Sequence, residues 1–69
     1  LSEKASSDRM EKLFKAVFLA GVYELLHHKD VDAAIIINDY VDVAKAFFQG
    51  KEPGLVNAVL DRLAKKIRA

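Results

Sequence analysis

Apolar positions in the first third of the chain recur at helical spacing. Met10, Leu13, Phe14, Val17, Gly21 and Leu25 share one broad face, and Glu11, Lys12 and Lys15 lie opposite. Asp8, followed three residues later by Glu11, has the spacing of a capping box and predicts a helix start there. The helix is expected over residues 8–28, roughly 30 Å at 1.5 Å per residue. Residues 1–7, LSEKASS, are polar and are expected to form a flexible N-terminal segment. Further along, Leu19, Val22 and Leu26 fall on the side that begins as the polar one. The second half of this helix is therefore apolar nearly all round, the mark of a helix covered from more than one direction. Two further helices are too few to wrap it. Leu19, Val22 and Leu26 are thus expected to mediate self-association or to meet a missing half of the protein.

The next segment, VDAAIIINDYVDVAKAFFQG, opens like a strand, because the β-branched Ile35, Ile36 and Ile37 favour sheet. Its periodicity decides otherwise. Ala33, Ile37, Tyr40, Val41, Ala44, Phe47 and Phe48 share a helical face, with Asp39, Asp42 and Ala46 opposite, while strict alternation fails across the three isoleucines. A helix over 32–48 follows, capped by Asp30 or Asp32 and ended by Gly50. Ile35 is its misfit and projects towards the polar side. QGKEPG is then a loop, and Pro53 suits the first turn of a third helix over 53–67. Val56, Val59, Leu60, Leu63 and Ile67 form its apolar stripe, with Arg62, Lys65 and Arg68 on the other side. The fold class is all-α: a three-helix bundle over residues 8–69.

Composition narrows the class further. A chain of 69 residues is at most one small domain, and it contains no Cys, so neither a disulfide nor a thiolate metal site can staple it. Leu rather than Met stands first, and the chain reads as a fragment. Eleven basic and ten acidic residues give a formal charge of +1, so any nucleic-acid binding must come from local clustering. The longest apolar run, residues 16–23, is far short of the ~20 residues that span a bilayer. A soluble, cytoplasmic protein is expected, with no membrane contact.

In this order and spacing, YELLHHKDV, INDYVDVAKAF and LVNAVLDRLAKKIR resemble the C-terminal half of the NusB family of bacterial transcription antitermination factors. The carriers are Tyr23-Glu24-Leu25, Asp30-Val31, Ile37-Asn38 with Asp39, Ala44-Lys45, and Val56-Asn57 before Val59-Leu60-Asp61. The resemblance covers roughly residues 15–68. It implies the second of two packed three-helix bundles. It also implies binding to boxA RNA together with the ribosomal small-subunit protein NusE, in the transcription elongation complex. Departures are visible: Leu19 stands where family members commonly have Arg, Asp32 where they have Pro, and Lys51 near a common acid. The basic N-terminal arm of the family belongs to the other half. A related reading is the similar RNA-binding domain of rRNA cytosine methyltransferases. Ending at DRLAKKIRA, without an Arg-rich continuation, favours the free-standing factor. A reading of another class is a purely structural helical assembly module.

Candidate chemistry is sparse. His27 and His28 are adjacent, point about 100° apart on a helix and do not converge on a metal. They suit a helix C-terminus as cations. Asp39 and Asp42 read as a solvated face. No Ser–His–Asp order, phosphate loop or dinucleotide fingerprint is present. The expectation is a binding protein, with no catalytic residues, no metal and no cofactor. Glu24 lies within the apolar face and needs a partner, because an unpaired buried carboxylate is costly. Asn38 or Asn57 is expected to donate to it; the alternative is a partly exposed Glu near a bundle edge. Lys51, Arg62, Lys65 and Lys66 are the candidate RNA or partner contacts, with Leu55 beside Lys51 in FQGKEPGL.

Overall fold

The computed structural model describes the backbone from Ser2 to Arg68 and the side chains from Asp8 to Arg68. It contains three helices in up-down-up order: α1 (Ser2–His27), α2 (Ala33–Phe47) and α3 (Glu52–Ile67). The bundle measures 45 × 18 × 16 Å. It is long because α1, about 39 Å at 1.5 Å per residue, outruns both partners. α1 starts at Ser2 rather than at Asp8, so Asp8 lies in the helix body and Glu11 instead pairs with Lys15 one turn on, at 3.6 Å. The segment expected to be flexible is therefore helical in its backbone from Ser2. The side chains of residues 1–7 lie outside the described residues.

The core is built from Val17 and Leu25 of α1, Ile36, Ile37, Val41 and Ala44 of α2, Phe48, and Val56, Leu60 and Ala64 of α3. At mid-height α1 and α3 come close. A Cβ on Gly21 would stand 2.9 Å from Cδ1 of Leu60, a side chain with no exposed surface. The stripe on α3 therefore centres on Leu60 and not on Leu63, which is only half-buried. Ile36, left out of the expected face of α2, belongs to the core, and Ile35 points outward as its register requires.

The two ends of α2 differ from each other. At its start Asp32 is the cap: its Oδ1 accepts from the backbone N–H of Ala34 at 3.2 Å. At its end the helix stops at Phe47, before the expected Gly50. Phe48 turns into extended backbone, φ −125° and ψ 139°, while its N–H still donates to the Ala44 carbonyl. That bend separates two neighbours that periodicity placed together on the inner face. Phe47, placed on the inner face by periodicity, is 54% exposed, and Phe48 swings into the core. There it meets Phe14 edge to face at 5.4 Å, and Phe14 meets Phe18 in the same way at 4.8 Å. Gly50 has no positive φ; its N–H donates to Oε1 of Glu52 at 3.1 Å.

Candidate nucleic-acid interface

α3 carries its cations on two edges. Lys51, at the helix N-terminus, is followed by Leu55, Arg62 and Lys66 at spacings that return to one side of the helix. All four are exposed, and the three cations make no ion pair among the described residues. Lys65 stands apart from them. It faces the other edge, where it makes an exposed pair with Asp61 at 3.2 Å. The candidate contact row thus becomes Lys51, Leu55, Arg62 and Lys66.

Arg68 was grouped by sequence with these solvent-facing cations, and its position is different. Its guanidinium reaches across to the end of α1. Nε and Nη2 donate to the Leu25 carbonyl at 3.3 and 3.1 Å, Nη2 to the His28 carbonyl at 2.9 Å, and Nη1 to the Val31 carbonyl. The last carbonyls of a helix have no intrahelical partner and carry its negative dipole end, so a fork of donors with a fixed charge suits them. Arg68 closes the turn between α1 and α2 from the far end of the chain. This role leaves no sequence signal, because the partners are backbone carbonyls 37 to 43 residues away.

Glu24 does not meet Asn38 or Asn57. It sits half-buried at the bundle edge, and its carboxylate pairs with His28 one turn on, at 3.2 Å, when the imidazole is protonated. The two asparagines are instead brought together across the groove between α2 and α3, both exposed, with Lys45 and Asp61 beside them. The field of Glu24 reaches α2. Burial first, then the charges of Glu24 and Asp39, raise the pKa of the Tyr40 phenol above its ordinary value of 10. His27 packs its ring against Tyr23, centroids 4.3 Å apart. Among the described residues no three His, Cys, Asp or Glu are grouped to hold a metal ion. No helix among them is long and apolar enough to cross a membrane.

These positions also fix the sides of each helix. On α1 the side towards α3 is marked by Gly21, which faces Leu60; Leu19 and Tyr23, each about 200° round the helix from Gly21, lie on the outer side, with Leu26 near them. Asn57 and Asp61 line the α2 groove, so the edge of α3 with Leu55, Arg62 and Lys66 flanks α1. Leu19 and Tyr23 are 71% and 60% exposed, and Leu26 is exposed as well. Val22, grouped with Leu19 and Leu26 by sequence, instead packs partly against this bundle's own core. Tyr23 takes its place in the outer row.

Comparison with known proteins adds a family. The model of the NusB family matches residues 1–65. The transcription antitermination protein NusB of Bartonella tribocorum is 53% identical over 68 residues, covering 99% of this chain and 44% of its own length. The protein of the same name from Bartonella quintana matches to the same extent. That of Rhizobium etli is 48% identical over 69 residues, all of this chain and 43% of its own length. The chain thus spans less than half the length of these relatives. No solved structure matches it.

Proposed function

Because this chain belongs to the NusB family, we propose that it is the RNA- and partner-binding bundle of a bacterial transcription antitermination factor, acting in the cytoplasm. Its ligand is boxA-type RNA, bound together with the ribosomal protein NusE in the elongation complex, and its chemistry is binding without catalysis. The observation that carries this reading is the row of three unpaired cations, Lys51, Arg62 and Lys66, on one side of α3 with Leu55 among them. Cations aligned on one side of a helix suit the phosphates of a single strand, and an exposed leucine offers a protein or a base an apolar contact. The relatives' printed name, transcription antitermination protein, fits this use.

The test is a salt titration of binding to boxA and scrambled RNA. Three phosphate contacts at roughly −0.7 each give a log–log slope near −2. Lys51→Glu weakens both RNAs alike, because phosphate contacts carry no sequence information directly. Adding NusE tightens binding to boxA alone. Salt-insensitive binding, or binding untouched by Lys51→Glu and by Arg62→Glu, removes the row from the interface.

A further inference from the structure

The groove between α2 and α3 carries side chains that the fold does not call for. It holds about 300 Å³ over the buried Ile37 and Val41. Asn38 and Lys45 of α2 and Asn57 and Asp61 of α3 form its rims, all four exposed. Asparagine is a poor choice inside a helix, because its amide competes with the backbone. Both asparagines nevertheless stand in the bodies of their helices. Neither carboxamide makes a hydrogen bond among the described residues, and Lys45 makes no ion pair among them. What needs explaining is this choice of side chains rather than the groove's exposure to water.

A carboxamide presents a donor and an acceptor in one plane. An extended main chain presents the same two groups, N–H and C=O, along its edges. One carboxamide on either rim therefore suits a strand-like segment whose side chains alternate between floor and solvent. Among the described residues no aromatic side chain lines the groove, which disfavours a nucleobase, whose binding rests on stacking. The charges add an order. Because α2 and α3 are antiparallel, Asp61 and Asn38 lie towards the turn between α1 and α2, Lys45 lies towards the link between α2 and α3, and Asn57 lies between. Lys45 stands seven positions after Asn38, about 10 Å at 1.5 Å per residue, which an extended chain covers in about three residues. Lys45 is free to meet an acid. Asp61 is held by its exposed pair with Lys65, a weak contact that an arginine, gripping the carboxylate with two donors, displaces. We propose that the groove binds an extended segment of a partner protein in which an acidic residue and an arginine stand three positions apart. The acid meets Lys45, the arginine meets Asp61, and Asn38 and Asn57 hold the main chain between them.

The test is an NMR titration of the isotope-labelled 69-residue chain with the capped peptide Gly-Glu-Val-Ser-Arg-Gly. Shifts are expected at Asn38, Lys45, Asn57 and Asp61, saturating in the millimolar range. The peptide methylated on its central main-chain nitrogens is expected to bind about tenfold more weakly, having lost its donors. Asn38→Ala and Asn57→Ala are each expected to weaken binding to a similar degree while melting no lower than the parent, because alanine is the better helix former. Should an alanine variant fail to fold, Lys45→Glu decides: it is expected to lose this peptide and to gain the one with Lys in place of Glu. Absence of groove shifts at millimolar peptide overturns the proposal. So do equal binding of the methylated peptide, tighter binding of a mononucleotide at the same residues, or asparagine variants that melt lower and bind as before.

Discussion

The two ends of the bundle are closed by different means. At one end the turn between α1 and α2 is held by polar chemistry: Asp32 caps the start of α2, and Arg68 takes the free carbonyls at the end of α1. At the other end the link between α2 and α3 is held by an aromatic plug, Phe48 against Phe14. That second end also shows a residue helix chemistry does not favour. Lys51 puts a cation at the N-terminus of α3 and makes no side-chain cap there, where an anion or hydroxyl is the stabilising choice. The contrast separates residues that stabilise the two ends from one, Lys51, that the helix terminus does not favour.

Substitutions at four positions sharpen the contrast. Phe48→Ala removes the plug and leaves a cavity among Phe14 and its neighbours. The expected loss is about 3–5 kcal/mol, comparable with the whole stability of a small domain, and thermal melts check it. Arg68→Ala opens the polar end. Carbonyls there can turn to water, so the loss is smaller, about 2 kcal/mol, and Arg68→Lys recovers little because an ammonium cannot span the three carbonyls. Equal losses at Phe48 and Arg68 would contradict the distinction between plug and latch. Asp32→Ala costs about 1 kcal/mol through the lost cap, read by urea denaturation. Lys51→Asp is expected to gain about 0.5 kcal/mol from the helix dipole while weakening RNA binding. A destabilised Lys51→Asp variant would show that Lys51 serves the fold.

Much of the fold was legible because it is local. The period of 33–44 settles helix against strand, places Ile35 outside and narrows the cap to Asp30 or Asp32, since each depends on neighbours within a turn or two. Phe47 was misplaced because the helix stops there instead of continuing to Gly50, whereas Phe48 keeps its expected inner place. Two adjacent aromatics offer the core either ring, and tertiary packing chose Phe48. Glu24 was assigned a distant amide because its place on a wheel is apolar. The wheel cannot show that this part of the face lies at the bundle edge, where His28 suffices. For the candidate interface, the sequence offered Lys51, Leu55, Arg62, Lys65 and Lys66 as one set, with Arg68 among the outward cations of the last helix. The separation of Lys65 and Arg68 from the rest was not readable, because it depends on Asp61 at one edge and on carbonyls of another helix at the other.

The reach of Arg68 also has a kinetic meaning. Most contacts in a helical bundle join residues near in sequence and form early, whereas its bonds to Leu25 and Val31 join residues 43 and 37 positions apart. Closing a loop of that length costs entropy before it is repaid, so these bonds belong to the last stage of folding. Losing them should then leave the refolding rate nearly unchanged and appear almost wholly as faster unfolding. Arg68 is thus expected to set how long the folded molecule lasts more than how quickly it forms, which the two arms of a denaturant chevron for Arg68→Ala check.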